Sequence, residues 1–171
     1  MKFDENGKRI RDVGSDNRKP DYDPEWDSVR IGLVGSSKAG TKGFEEVSKQ
    51  VEYWMDITQQ ANQDIEFASG GGVGIDSTAR SVCKKFEVDF KEFKPDGYGW
   101  TANKKRNLQI ADYCDKVISF ALPYGTTIDT KTSEPIPKCY HCAKAGKDDN
   151  HEKTAGCYTG KACGAYEVVI L

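Results

Sequence analysis

The chain has 171 residues, which is enough for one domain of ordinary size with a buried core. Its 25 basic and 27 acidic residues give a formal net charge of -2, so it lacks the overall positive charge typical of nucleic-acid-binding proteins. No apolar run approaches the roughly 18 residues of a membrane span, and the charged N-terminus has no apolar signal core. We therefore expect a cytoplasmic protein without membrane attachment.

The first 27 residues differ in composition from the rest of the chain. They show no apolar periodicity and are rich in Asp, Asn, Lys and Pro. This composition predicts an N-terminal tail over 1–27, partly disordered or draped on the surface, with Trp26 as an anchor at its end. Residues 28–171 then form the folded domain.

Strand-like and helix-like segments alternate along this domain. Short apolar runs predict buried strands, and apolar residues at helical spacing predict helices. The strands are expected at 29–35, 64–72, 88–95, 115–123 and 166–171, and the helices at 43–61, 73–86 and 101–114. This alternation indicates an α/β fold with a parallel sheet covered on both faces. We expect a Rossmann-like, doubly wound and mainly parallel five-stranded sheet.

The helical periodicity also predicts which side chains of the helices face the sheet. The expected inward residues are Phe44, Val47, Val51, Trp54 and Ile57 in the first helix, Ala79, Val82 and Cys83 in the second, and Leu108, Ala111 and Tyr113 or Cys114 in the third. Cys83 and Cys114 are thus predicted to be packing residues.

Glycines stand at three ends of the predicted strands. They occur in GLVGSSKAG (32–40), in SGGGVGID (69–76) and in AGCYTGKA (155–162). One glycine after a strand is usually a tight turn. Three such elements at one edge of a doubly wound sheet favour binding of a phosphorylated or nucleotide-like ligand. Neither a GxGxxG fingerprint nor a P-loop is present, which argues against an NAD dehydrogenase and a P-loop NTPase.

Several side chains near these glycines suit a nucleotide. Arg106 can pair with a phosphate, and Asn107 can fix a loop or a base edge. Asp76 can bond ribose hydroxyls or simply cap its helix, and Trp100 or Tyr98 can stack on a base or only pack on the surface. The candidate ligand-binding residues are Gly35, Ser36, Ser37, Gly70, Gly71, Gly72, Asp76, Trp100, Arg106, Asn107, Gly156, Thr159, Gly160 and Lys161.

Two segments, ASGGGVGIDSTA (68–79) and EFKPDGYGWTANKKRNLQIADYCDKVISF (92–120), resemble the SLOG superfamily, and within it the branch related to the YpsA-like proteins. The resemblance covers 29–121 well and 155–171 loosely. It implies a Rossmann-like fold and a nucleotide or nucleotide-derived ligand. Some members cleave nucleoside monophosphates at the glycosidic bond, some sense nucleotide signals, and DNA-processing relatives bind single-stranded DNA.

The end of the chain departs from the pattern of that superfamily. The expected glycine loop does not follow Phe120, and we align it with 155–161 instead, after an insert. The cleaving branch carries a catalytic glutamate in the final helix, but this chain has no Glu between Lys153 and Tyr166. This difference argues against hydrolysis by that route.

The insert, 122–157, contains a group of cysteines and histidines. Cys139 and Cys142 form a CxxC pair, followed by His151 and Cys157. Four such ligands suit a tetrahedral structural zinc, which would clip a loop that has no core of its own. Reduced free thiols are the alternative. Cys163 or His141 can also substitute for one of the four ligands.

Three functions remain open from the sequence. The first is binding of a nucleotide-like small molecule, as a sensor or sequestering module. The second is a phosphoribohydrolase-like enzyme acting on a nucleotide N-glycosidic bond, with Asp76 or Asp112 as its carboxylate. The third is single-stranded DNA binding, which the run 104–106 permits but the net charge disfavours. A homodimer is expected by analogy, with Tyr53 and Trp54 on its surface.

Overall fold

The structure is a computed structural model that describes residues 2–3, 9–10, 22–39, 42–123, 133 and 155–171. Its strands are β1 (Lys2–Phe3), β2 (Arg9–Ile10), β3 (Ser28–Gly35), β4 (Asp64–Gly70), β5 (Asp89–Phe93), β6 (Lys116–Ala121) and β7 (Tyr166–Ile170). Its helices are α1 (Lys42–Gln60), α2 (Ile75–Lys85), α3 (Gly99–Tyr113) and α4 (Ala155–Cys163). Within the described ranges, no helix combines the length and apolar character needed to cross a membrane.

Five of the strands form one parallel sheet, in the order β5-β4-β3-β6-β7. This confirms the predicted α/β class and the five-stranded parallel sheet. The chain builds outward from β3 through β4 to β5, and then returns to the other side of β3 with β6. The strand order therefore reverses between β3 and β6, the place where open α/β sheets bind ligands beyond their carboxyl ends.

The helices cover both faces of this sheet, as a doubly wound fold requires. On one face, α1 and α2 pack against the sheet through a buried cluster that includes Val47, Val51, Val82 and Phe67. On the other face, α3 and α4 pack through a second cluster centred on Ile110. Cys83 and Cys114 are both fully buried in these clusters, which confirms that they are packing residues.

Two predicted core residues are exposed, and a third, Ile57, is only partly buried. Phe44 is 40% exposed, and its ring lies 5.6 Å from the Lys85 ammonium. Leu108 is 42% exposed, because the inward face of α3 is formed by two polar residues, Arg106 and Asn107, together with Ile110 and Ala111. The prediction for Leu108 was therefore wrong: the middle of α3 borders a polar cleft instead of the core.

The end of the predicted tail belongs to the folded domain. Tyr22 packs edge-on against Trp54 with ring centroids 5.2 Å apart, and also contacts Trp26. Trp54 is consequently only 4% exposed, so it is covered from within the chain and is not on the surface predicted for a dimer. Tyr53, by contrast, is 56% exposed. Nearer the N-terminus, β1 and β2 pair antiparallel.

Candidate ligand-binding cleft

A cleft opens at the carboxyl edge of the sheet, where the strand order reverses. It is bounded by the end of β3, the starts of α2 and α4, and the middle of α3. Its volume is about 220 Å³, counted out to the solvent at its open mouth. It is lined by Val34, Gly35, Asp76, Arg106, Asn107, Ile110, Gly156 and Thr159. The structure thus brings together six of the predicted ligand-binding residues, from four separate parts of the sequence.

Glycines shape this cleft by leaving space for their neighbours. A Cβ on Gly70 would lie 1.9 Å from Arg106 Nη1 and 2.7 Å from Asp76 Oδ2. A Cβ on Gly35 would lie 2.1 Å from the Phe120 carbonyl oxygen, on the neighbouring strand. Gly70 therefore makes room for two polar side chains of the cleft, and Gly35 permits close approach of β3 and β6.

Asp76 stands in the first turn of α2 and points back towards the end of β4. Its Oδ1 lies 3.0 Å from Ser69 Oγ, and its Oδ2 accepts the Gly72 N–H at 3.2 Å. Arg106 Nη1 lies 3.6 Å from the same Oδ2. Burial raises the pKa of Asp76 above the usual Asp value, in spite of the opposing effect of the Arg106 charge.

Arg106 and Asn107 come from the middle of α3 and are 9% and 3% exposed. Arg106 Nε donates to Asn107 Oδ1 at 2.8 Å. Among the described residues, the buried Asn107 Nδ2 has no hydrogen-bond partner. Lys104 and Lys105, in contrast, are exposed. The basic run 104–106 is therefore divided between the protein surface and the cleft, and does not form one basic patch.

The segment that we aligned with a glycine loop is helical from Ala155 onward. The prediction of a loop here was wrong, because Gly156 and Gly160 are four residues apart and provide the close-packing face of α4. A Cβ on Gly156 would lie 2.3 Å from Ser119 Oγ of β6. A Cβ on Gly160 would lie 2.5 Å from the Tyr166 ring. Gly156 and the fully buried Thr159 line the cleft, whereas Gly160 packs against β7.

Ser36 and its neighbours form the turn beside the cleft. The Ser36 N–H donates to the Phe120 carbonyl at 3.0 Å, and the Ser36 carbonyl accepts the Ile75 N–H at 3.1 Å. The Ser36 Oγ accepts the Lys38 N–H. These bonds join the end of β3 to β6 and to the start of α2. Ser36 thus holds the turn together, while Ser37 is exposed.

Other predicted residues lie at the surface around the cleft. Gly71 and Gly72 are exposed in the turn before α2, and Lys161 is half-buried on α4. Trp100 is 52% exposed at the start of α3, and its ring meets Tyr158 of α4 edge-on with centroids 5.6 Å apart.

Sequence reasoning missed several contributors to this site. Val34 and Ile110 supply its apolar walls, and Ser69 contacts Asp76 from the end of β4. Tyr158 contacts Trp100. The available signal for Ser69 was its position, because a serine that ends a buried strand just before a glycine run must be close to whatever follows that run.

The predicted zinc site lies mostly outside the described residues. Cys139, Cys142 and His151 all fall there, as does most of the insert 122–157. Cys157 is fully buried on α4, with its Sγ 3.8 Å from Ser119 Oγ. In the part of the chain that the structure describes, no three His, Cys, Asp or Glu residues are grouped as metal ligands. The zinc clip stays a prediction.

The two carboxylates considered for hydrolysis differ in location. Asp76 lines the cleft, whereas Asp112 is exposed in the last turn of α3 and is not among the lining residues.

Comparisons of the chain with protein-family models, with curated proteins and with solved structures give no match.

Proposed function

We propose that this protein binds a nucleotide or a nucleotide-derived ligand in the cleft at the carboxyl edge of the sheet, as a sensor or sequestering module. The observation that carries the proposal is the Asn107 side-chain amide. It is 97% buried, lines the cleft beside a guanidinium, and its Nδ2 has no partner among the described residues. A buried donor without an acceptor costs about 1–3 kcal/mol, and a ligand acceptor would remove that cost.

Arg106 has more N–H donors than the described residues use in hydrogen bonds. Arg106 has five N–H donors, of which Nε is bonded to Asn107. Arg106 Nη1 is 3.6 Å from Asp76 Oδ2, which is longer than the usual N–H···O distance of about 2.9–3.0 Å. A guanidinium with spare donors and a neighbouring amide suits a phosphate, whose oxygens accept several hydrogen bonds in a fixed geometry.

The surroundings of the cleft suit the rest of a nucleotide. The Trp100 and Tyr158 rings lie at the starts of α3 and α4, the two helices that supply Arg106, Asn107 and Thr159. Aromatic rings at such a position can stack on a base. The resemblance to the SLOG superfamily points to the same class of ligand, and the absence of a glutamate in α4 favours binding over cleavage.

Cleavage of a nucleotide N-glycosidic bond is the second candidate, because one carboxyl group, that of Asp76, lies in the cleft. Such a group can protonate a leaving base if it is within reach. Single-stranded DNA binding is less well supported. In the basic run 104–106, Lys104 and Lys105 are exposed and Arg106 is buried, so two surface charges remain for a DNA backbone. The net charge of the chain is also negative.

The test is a titration of the full chain with nucleoside mono- and diphosphates, dinucleotides and cyclic nucleotides, by thermal shift and calorimetry. The reaction mixtures are then analysed by mass spectrometry. We expect at least one compound to bind unchanged, and Arg106→Ala to weaken its binding about tenfold or more, since hydrogen bonds to charged groups contribute about 1.5–3 kcal/mol.

Lys105→Ala is the matched control, because it removes the same charge from the exposed neighbour on α3. Its affinity is expected to stay close to that of the unchanged protein. Equal affinity of the Arg106→Ala variant would show that the ligand binds elsewhere. Release of a free base would favour the hydrolase, and salt-sensitive oligonucleotide binding without nucleotide binding would favour the DNA alternative.

A further inference from the structure

Ser69, the residue before the glycine run, has one hydroxyl proton and two close oxygen neighbours. Its fully buried Oγ lies 2.5 Å from the Leu33 carbonyl oxygen and 3.0 Å from Asp76 Oδ1. A serine hydroxyl donates one hydrogen bond. The Ser69 hydroxyl can donate to either oxygen. When it donates to Asp76 Oδ1 it stabilises the ionised carboxylate, and when it donates to the Leu33 carbonyl its own oxygen can accept a proton from a neutral Asp76.

The other oxygen of Asp76 accepts one backbone hydrogen bond and lies near Arg106. Asp76 Oδ2 accepts the Gly72 N–H at 3.2 Å. Its distance to Arg106 Nη1, 3.6 Å, is beyond the roughly 2.7–2.9 Å of a charge-assisted bond to a carboxylate, so the two side chains are close without forming a tight pair. The neighbours of both oxygens therefore accommodate the ionised and the protonated form of Asp76.

The charges that face Asp76 come from three elements. Arg106 on α3 is the nearest cation, and Glu92 on β5 is a second carboxylate, itself paired with Arg80 of α2 and with Lys94. The lining residues from β3 and α4 are uncharged. Burial is the largest influence on the pKa of Asp76 and raises it; Arg106 and the hydrogen bonds from Ser69 and Gly72 oppose this rise, and Glu92 adds to it.

We infer that Asp76 is a proton-controlled competitor for Arg106. In the neutral form it leaves the guanidinium available to the oxyanion of a ligand, and in the ionised form it pairs with the same guanidinium and opposes that ligand. Binding of a phosphate-like oxyanion is therefore coupled to proton uptake by Asp76 whenever the carboxyl group is ionised beforehand. This inference rests on the proposal that the cleft is the ligand site.

The test uses sulfate as the ligand. Its charge is constant between about pH 5 and pH 8, so a change of sulfate affinity in that range is assigned to the protonation of Asp76. The carboxyl carbon of Asp76 is followed by NMR in the full chain, with sodium chloride at equal ionic strength as the reference. Its midpoint is expected above the usual value of about 3.9. Sulfate is expected to raise it by about one further unit, which corresponds to tenfold tighter binding to the neutral form.

A midpoint that sulfate leaves unchanged, or lowers, would overturn the inference. The Asp76→Asn variant gives an independent check, because its amide can donate to Ser69 and accept from Gly72 without a charge. Its sulfate dissociation constant is expected to be independent of pH and within about twofold of the low-pH value of the unchanged protein. Loss of sulfate binding in the folded variant would contradict this.

Glu92→Gln is the matched control, since it removes the other carboxylate that acts on Asp76 and should retain the pH dependence. A pH dependence that disappears in Glu92→Gln but persists in Asp76→Asn would assign the effect to Glu92 and overturn the inference. The two proposals can also fail separately. Sulfate linkage without nucleotide binding removes the nucleotide proposal, whereas Arg106-dependent nucleotide binding with an insensitive Asp76 removes only the linkage.

Discussion

The two edges of the sheet each bury a side-chain amide, and they satisfy it differently. At the amino edge, Gln63 precedes β4; its Oε1 accepts the Tyr22 hydroxyl, and its Nε2 donates to the carbonyls of Asp23 and Trp26 at 2.9 and 2.8 Å. At the carboxyl edge, Asn107 Nδ2 has no partner within the described ranges. The side-chain amide is fully hydrogen-bonded at one edge, whereas at the other edge its N–H donors have no partner among the described residues.

Buried carboxyl groups show the same contrast. Asp115, at the amino edge before β6, is 3% exposed and accepts the Arg30 N–H at 2.8 Å, while its own N–H donates to the Arg30 carbonyl. Asp76, at the carboxyl edge, contacts Ser69 and Gly72 but has an Arg106 contact longer than a hydrogen bond. The contrast concerns these two amides and two carboxyl groups, since the buried Trp54 Nε1 near the amino edge also lacks a hydrogen-bond partner among the described residues. Under the proposed function, the bonds of Gln63 and Asp115 hold the fold, whereas Arg106 and Asn107 are open to a ligand.

The largest effect expected from this contrast is at the amino edge. Gln63→Ala removes all three bonds that hold residues 22–26, and should lower the free energy of unfolding by about 3 kcal/mol, at about 1 kcal/mol per bond. Ligand affinity should not change. Urea unfolding measures the free energy of unfolding, and calorimetry measures the ligand affinity.

Gln60→Ala, at an exposed position of α1, is the control and should change neither the stability nor the affinity. A Gln63→Ala variant that lost affinity but kept its stability would refute the contrast between the two edges.

Gly70→Ala should affect both properties at the carboxyl edge. The added methyl group would displace the Arg106 guanidinium, which it would otherwise approach to 1.9 Å. We expect a loss of about 1–3 kcal/mol in stability, as for overpacked cores, with ligand binding weakened about tenfold or more, since a displaced charged hydrogen bond is worth about 1.5–3 kcal/mol.

Gly71→Ala is the matched control for this variant. Its added Cβ would meet the flexible Lys94 side chain at 3.0 Å, so a small rotation of that side chain can relieve the contact. Thermal unfolding and calorimetry are the measurements for both variants. Equal effects of the two substitutions would mean that the position of Arg106 does not govern binding.

The smallest effect on stability is expected for Asn107→Asp. It replaces the unpartnered amide with an oxygen beside Arg106, so pairing with the guanidinium should offset most of the cost of burying a carboxylate there. Oxyanion affinity should fall about tenfold, because the donor becomes a like-charged acceptor. A calorimetric titration with sulfate checks this. Unchanged sulfate affinity would show that the amide does not face the anion.

Much of the fold could be predicted from local sequence. Buried parallel strands appear as apolar runs, so their positions are recognisable without tertiary information. The same holds for Asp76, because a polar residue just beyond a strand end, at a helix start, must lie at the carboxyl edge of a doubly wound sheet. Arg106 and Asn107 were expected near a helix start, but α3 begins at Gly99, so they lie in its middle and reach the cleft from there.

The remaining features depend on contacts that no local pattern records. Gly156 was assigned to a loop, but it lies in α4, and it is a glycine there because Ser119 of a distant strand leaves no room for a side chain. Leu108 was assigned to the core, but α3 turns two polar residues inward instead. Tyr22 was placed in a tail, although it packs on Trp54 across the chain. Each outcome was decided by a partner far away in sequence.

The placement of the three tryptophans gives the molecule a built-in optical reporter. Trp26 and Trp54 pack together with Tyr22 at the amino edge, remote from the cleft, whereas Trp100 is half-exposed at the start of α3 and contacts Tyr158 at the start of α4. A ligand that stacked on Trp100, as proposed, would change the surroundings of one indole and leave the other two as an internal reference. Intrinsic fluorescence can therefore follow binding in the unlabelled protein.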